Sequence, residues 1–406
     1  MRKPMEGVRV LEVAMWGFVT SAGAVLCDWG ADVLKVEHPV TGDPQRGLRR
    51  TGPFTVEGNV NPNFEHPNRG KRSIGLDIAT DAGREVLYDL VRQSDVFLTS
   101  LLPNSRKRFM IEVDHIRDVK PDIIYARGSA LGPRGAEADR GGYDMTAFWS
   151  RGATAASLTP PDIVGIIPPP APAYGDTISG TNLAGGIAAA LFARERTGEG
   201  SVVDVSLLGS GVWAMGMAID QSLLVKRAWQ TAPTGSTTSI NPLSGLYTTS
   251  DGRYLSLVML QPTKYWSDVC YHLDRPDLAE DPRFTTDEGI DANSEIATTM
   301  LREAISSQPL SYWTKKFATL KGPWAPVQDT LQVCEDPQVR GNDYITKVVA
   351  VDGSEFELVT NPVQFDEQPP ELRPAPGFAQ QTDEVLQDLG LDWDRIMALK
   401  VEGVVT

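Results

Sequence analysis

The sequence is short of the residues that build disulfide and metal sites. Its three cysteines, Cys27, Cys270 and Cys334, lie far apart with no CxxC pair, which argues against a disulfide framework and a thiolate zinc cluster. Its four histidines, His38, His66, His115 and His272, form no HxxxH spacing, so no metal site is expected. Positive charge is also in deficit. Lys and Arg number 38 against 53 Asp and Glu, a formal charge of −15, and no basic block stands out. That balance disfavours nucleic acid and anionic membranes as partners. The longest apolar helical run, Leu183 to Ala193, falls well short of the ~20 residues of a membrane span. Met1 to Gly7 leads into a strand-like segment instead of an apolar signal core. The chain reads as soluble and cytoplasmic.

What is present is an α/β pattern spread over 406 residues, enough for two or three domains. Val8–Val13 is a buried-strand sequence, Thr20–Trp29 a small-residue helix ended by Gly30, and Ala31–Glu37 a second strand. Strands follow at Ile74–Ile78, Val96–Leu98, Ile123–Ala126 and Val202–Leu207, with helices at Ala82–Gln93 and Ile178–Thr197. Such alternation predicts a mostly parallel, doubly wound sheet. Between Ala147 and Ala173 six prolines accumulate, which predicts a long functional loop. Composition shifts at Gln230–Asn241, the crossing into a smaller α+β domain. That domain opens with a hairpin whose strands, Leu246–Thr249 and Tyr254–Leu257, flank Asp251-Gly252. Helices at Thr263–His272, Asn293–Ser306 and Leu310–Thr319 complete it. A proline-rich stretch from Asn361 to Pro376 precedes a last helix, Thr382–Leu389.

The first strand-to-helix turn, Ala14 to Thr20, has one glycine and two bulky aromatics where a dinucleotide loop needs GxGxxG, which argues against a nicotinamide enzyme. No GxSxG elbow supports a serine hydrolase. Two basic loops, Asn68–Ser73 and Ser105–Arg108, are either grips for a phosphorylated ligand or ordinary solvated surface charge. Asp176, between the proline-rich loop and a helix, has two readings. It is a helix N-cap, or it is a carboxylate nucleophile whose acyl derivative develops oxyanion charge near free N–H groups. Asp144, in Gly141-Gly142-Tyr143-Asp144, is the second acidic candidate, with a turn or cap role as its alternative.

Several segments together resemble the class III CoA-transferases, a family that includes formyl-CoA and carnitine CoA-transferases, with α-methylacyl-CoA racemase as a relative. They are Pro4–Glu12, Gly30–Glu37, Gly42-Asp43, Lys71–Asp77, Gly175-Asp176, Arg196–Gly200 and Thr382–Leu386, in the family's order. The resemblance implies a Rossmann-like large domain from residues 1–228 completed by a return segment, 329–406, around a small domain, 229–328. It also implies an interlocked homodimer. Asp176 falls on the family's nucleophile, which passes CoA from an acyl-CoA to a carboxylic acid through an aspartyl anhydride and an aspartyl-CoA thioester. Coenzyme A is then a co-substrate, with no permanently bound cofactor.

Arg108 matches a phosphate-end arginine of the family, and Leu76-Asp77-Ile78 a segment lining the adenine end. His38 stands where formyl-CoA transferase has an arginine. The glycine-rich loop that shields that enzyme's site has no counterpart, so formyl or oxalyl specificity is not implied. The racemase pairs its aspartate with a His-Asp step, where this chain has Tyr143-Asp144. Without that imidazole to return a proton, transfer is the expected reaction and 2-methylacyl-CoA racemisation the alternative. A non-catalytic acyl-CoA-binding protein ranks last. The apolar character of residues 149–173 favours an apolar or medium-sized acyl group over a small dicarboxylate.

Overall fold

The computed structural model describes residues 3–236, 241–350 and 352–406. The chain forms two compact units. One comprises Met1–Thr159, Gly165–Gln230 and Gln338–Thr406, the other Pro160–Val164 and Thr231–Pro337. Part of the Gln230–Asn241 composition shift, residues 237–240, lies outside the described residues.

The larger unit is built on six strands: β1 (Arg9–Val13), β2 (Asp32–Glu37), β3 (Arg72–Gly75), β4 (Val96–Thr99), β5 (Ile124–Ser129) and β6 (Val202–Ser206). They pair in the order β3-β2-β1-β4-β5-β6, parallel throughout, so the strand order reverses between β1 and β4. In a doubly wound sheet ligands bind at the carboxyl ends of the strands beside such a reversal. The mixed α/β architecture with a mostly parallel sheet is therefore present as the strand–helix alternation predicts.

Helix α1 (Phe18–Asp28) leaves β1 and is buried along its whole length. Small residues make that possible. Helix α3 (Tyr174–Thr197; α2 is Asp81–Arg92) presses against α1 through Gly180, where a Cβ would stand 2.6 Å from Ser21 Cβ and 2.9 Å from the Phe18 carbonyl oxygen. Ala184, one turn on, is fully buried in the same core. On the sheet's other face α2 packs with Leu76, Ile78, Leu386, Ile396 and Leu399. The return segment thus supplies core side chains, partly through a helix at Trp393–Val401 that the sequence reading did not predict. It also closes the β3 side, where Leu76 bridges Val405, Asp77 N–H donates to Val404 O at 2.8 Å, and Thr406 Oγ1 donates to Pro39 O at 2.5 Å.

The smaller unit holds an antiparallel sheet of β7 (Ser244–Thr248), β8 (Tyr254–Val258) and β9 (Trp324–Pro326), with β8 central. The Asp-Gly hairpin forms as predicted, with Gly252 at φ +72°. Trp266, Phe284, Trp313 and Phe317 fill the core beneath. Two corrections concern the proline-rich region. Residues 145–158 are mostly helical, a π-helical stretch at Met145–Arg151 followed by Thr154–Leu158, because the prolines begin only at Pro160. And α3 begins at Tyr174, four residues earlier than expected.

Candidate active site

A cavity of about 690 Å³ opens at the carboxyl ends of β4 and β5, lined by Met15, Trp16 and Phe18 after β1, Ser100 to Leu102 after β4, and Gly128 to Leu131 around the end of β5. Arg140, Tyr143, Arg151 and Asp176 complete its polar wall. It is large enough for an extended thioester-bearing ligand.

Asp176 lies in the first turn of α3, and the N-cap position belongs to Ala173, whose φ is +55°. The capping reading of Asp176 is therefore incorrect: the earlier helix start carries it inside the helix, and it makes no cap hydrogen bond. Its carboxylate is half-buried. Among the described residues no donor lies within hydrogen-bonding reach of it. Burial, reinforced by the nearby Asp144 carboxylate, pushes its pKa up to about 7. The first turn of α1 faces it. Gly17 precedes that helix, and a Cβ on Gly17 would stand 2.7 Å from Asp176 Oδ2. The carboxylate thus sits beside the N-terminal turns of two helices, α1 and α3, where free N–H groups and the helix dipoles favour negative charge.

Asp144 caps the π-helical stretch, accepting from Met145 N at 2.6 Å and reaching Gly175 N at 3.3 Å. It ties the start of that stretch to the start of α3. Gly175 must be bare, since a Cβ there would come 2.6 Å from the Phe148 ring. Tyr143 is exposed and packs edge-on against Trp16, with centroids 5.8 Å apart.

The structure brings Asp176, Tyr143 and Asp144 together. The five residues expected at the nucleotide end are spread elsewhere. Leu76 and Ile78 are buried in the core, and Asp77 accepts from Ala79 N. His38 is exposed at the end of β2, its Nδ1 accepting from Val40 N and Thr41 N. Arg108 is exposed with its guanidinium over the Phe109 ring.

The basic loop 68–73 is not an open phosphate grip, because its cations are spent internally. Arg69 pairs with Asp28 at 2.7 Å, Lys71 with Glu12 at 2.8 Å, and Arg72 with Asp32 at 2.6 Å. Sequence reasoning missed Arg140 and Arg151, which both hold Glu137 at 2.6 Å on the cavity wall. Arg140 directly precedes the Gly-Gly-Tyr-Asp motif, the one local signal that could have found it. The described residues contain no cluster of His, Cys, Asp and Glu that could hold a metal, and no helix among them is long and apolar enough to cross a membrane.

The chain is 30% identical over 403 residues to an (R)-2-hydroxy-4-methylpentanoate CoA-transferase of Clostridioides difficile, covering 99% of both chains. It is 28% identical to a cinnamoyl-CoA:phenyllactate CoA-transferase of Clostridium sporogenes, covering 97% of this chain and 95% of that one. A crystal structure of a CAIB/BAIF family protein from Brucella suis superposes with a TM-score of 0.80 at 25% identity, over 96% of this chain and 100% of the other. The family profile described as CoA-transferase family III matches residues 5–382. With its parallel α/β fold and a match spanning nearly its whole length, the chain belongs to CoA-transferase family III, the enzymes that use CoA as co-substrate between an acyl-CoA and a carboxylate.

Proposed function

We propose that Asp176 is the covalent nucleophile of this CoA-transferase and that its substrates are apolar monocarboxylic acids. The observation that carries the reading is the state of its carboxylate, desolvated and free of hydrogen bonds at the mouth of two helix N-termini. In water a carboxylate is a weak nucleophile. Partly desolvated and with its pKa pushed up to about 7, it is a stronger one, yet an ionised fraction remains at neutral pH.

Asp176 attacks the thioester carbonyl, the C–S bond breaks, and an acyl-aspartyl anhydride forms with release of CoA thiolate. The thiolate attacks the aspartyl carbonyl and expels the donor acid. The acceptor carboxylate then attacks the aspartyl-CoA thioester, releasing thiolate and forming a second anhydride. Thiolate attack on the acceptor's acyl carbonyl yields the new acyl-CoA and restores Asp176. Each oxyanion arises beside the first turn of α1, whose N–H groups have no intrahelical acceptor.

The substrate class rests on the lining, where Met15, Trp16, Leu101, Leu102, Leu131 and Leu207 outnumber the charged groups. The two relatives named above act on branched or aromatic hydroxy acids. For the nucleotide end we assign Arg108, exposed and stiffened by Phe109, with His38 and Asp77 as further polar contacts. Leu76 and Ile78 offer only backbone, their side chains being core. The working form is a homodimer in the cytoplasm. The apolar helix Gly216–Val225 has no buried residue within the chain, with Met217 at 82% and Leu224 at 83% exposure, and a second copy would cover it.

The test is trapping. With donor acyl-CoA and no acceptor, the peptide containing Asp176 gains an acyl or CoA adduct cleavable by hydroxylamine. An Asp176→Asn variant that turns over normally refutes the assignment. Rapid deuterium entry at the α-carbon of a 2-methylacyl-CoA in D₂O would instead favour racemisation, with Asp144 and Asp176 as the acid/base pair.

A further inference from the structure

Four charged side chains that the chemistry does not use are almost wholly buried beside the site: Glu12 and Lys35 at 0% exposure, Asp43 at 3% and Lys71 at 4%. Lys35 Nζ lies 2.8 Å from Asp43 Oδ2 and 3.4 Å from Glu12 Oε1, and Lys71 Nζ lies 2.9 and 2.8 Å from the two Glu12 oxygens. Burial opposes both ammonium groups. At Lys35 the carboxylates of Glu12 and Asp43 outweigh it and raise the pKa, whereas at Lys71 burial wins and lowers it to about 8. A buried arrangement of this kind is seldom the most stable choice, since well-packed apolar groups often do as well or better.

Besides Lys71 donating to Asn68 Oδ1 at 3.0 Å and Asp43 Oδ1 accepting from Gln45 N at 2.9 Å, three of the cluster's contacts fall on one short segment. Lys35 donates to Ala14 O at 2.8 Å, Lys71 donates to Thr20 O at 2.9 Å, and Asp43 Oδ1 accepts from Trp16 N at 3.4 Å. These hold the β1–α1 turn on both sides of Gly17, the residue against which Asp176 Oδ2 rests. Within that turn Trp16 adopts φ +67°, a conformation that costs a non-glycine residue energy and persists only where surroundings enforce it. Thr20 Oγ1 adds a hydrogen bond to the Trp16 carbonyl.

We propose that Lys35 and Asp43, backed by Glu12 and Lys71, are positioning residues. They force the Trp16-Gly17 turn against the Asp176 carboxylate and so keep that carboxylate dry and the α1 N–H groups aimed at it. The proposal rests on Asp176 being the nucleophile, and its test separates the two.

The variant is Lys35→Met/Asp43→Asn, which removes the pair's charges together, preserves volume and leaves Glu12 with Lys71. Expected is a fall in kcat of ~10²-fold, the scale of a misplacement of about 1 Å at a reacting centre. KM for acyl-CoA stays within about threefold, and the acid limb of the kcat/KM–pH profile moves down by at least one unit as water reaches Asp176. Should that variant not fold, Thr20→Val, which only frees the Trp16 carbonyl, gives the same downward shift of the limb with a smaller loss of kcat. A folded variant with unchanged kcat and an unmoved limb overturns the positioning role. If Asp176→Asn remains inactive in parallel, the nucleophile assignment survives that outcome, whereas an active Asp176→Asn brings down both.

Discussion

Replacing Asp176 by Asn should make the protein inactive and, above neutral pH, more stable. The carboxylate's pKa is about 7 in the folded chain against 3.8 for an unperturbed aspartate, a difference of roughly 3 units or about 4 kcal/mol at most. The folded state holds this proton more tightly than the unfolded chain does. The stability linked to the proton is therefore fully present below pH 3.8 and is lost as pH rises to 7, beyond which the whole penalty for a desolvated anion applies. Asparagine carries no such penalty. The side chain is half-buried and partly screened, so a gain of about 1–2 kcal/mol at pH 8 is the reasonable share of that ceiling. No capping bond is lost to offset it. Denaturant unfolding of the apo proteins at pH 5 and pH 8 measures the effect: the Asn variant's advantage should widen with pH. An Asn variant that is less stable than the parent at pH 8, or an advantage larger at pH 5, refutes the reasoning that the site holds a partly desolvated charge at a cost in stability.

Other outcomes follow from the same geometry. Gly17→Ala places a methyl 2.7 Å from Asp176 Oδ2, so steady-state assays should show transfer reduced by ~10²-fold while the melting curve changes little. The transfer rate should rise with pH through about 7 as Asp176 ionises, and in Asp144→Asn that limb should move lower, read from kcat/KM profiles of both enzymes. Gly175→Ala forces a Cβ to 2.6 Å from Phe148 and should cost ~1–3 kcal/mol in chemical denaturation. Leu224→Glu, on a helix with no buried residue in the chain, should lower the dimer fraction in sedimentation velocity if that helix forms the proposed homodimer contact, and an unchanged sedimentation profile would reject it as the interface.

Much of this fold could be read from periodicity, because its strands are apolar, short and bounded by glycine. Gly30 after α1 and Gly252 in the hairpin adopt the positive φ their places suggested. The site was less legible. Asp176 stood out by its motif, but its role as first-turn residue depended on where α3 begins, and Ala173 in left-handed geometry is not a starting signal that residue preferences supply. Lys71 looked like part of a phosphate grip in a basic loop. Only the fold shows Glu12, 59 residues earlier in the chain, waiting for it. Arg140 and Arg151 escaped notice because their shared partner, Glu137, is an ordinary loop acid until the backbone brings it to both arginines, which line the cavity.

The pairing of residues 404–406 with the segments that follow β2 and β3 has a consequence for biosynthesis. Thr406 meets Pro39 across 367 residues of chain. At translation rates of roughly 5–20 residues per second, that side of the sheet waits about 20–70 s for its cover. During this time β3 emerges and pairs with β2, and the backbone groups on its other edge, Ser73 and Gly75, also wait for Gln381 and Thr382. The nascent chain thus passes through a stage at which one side of its sheet is finished only on arrival of residues more than 300 positions later in the chain. Slow codons or a bound chaperone would matter most there.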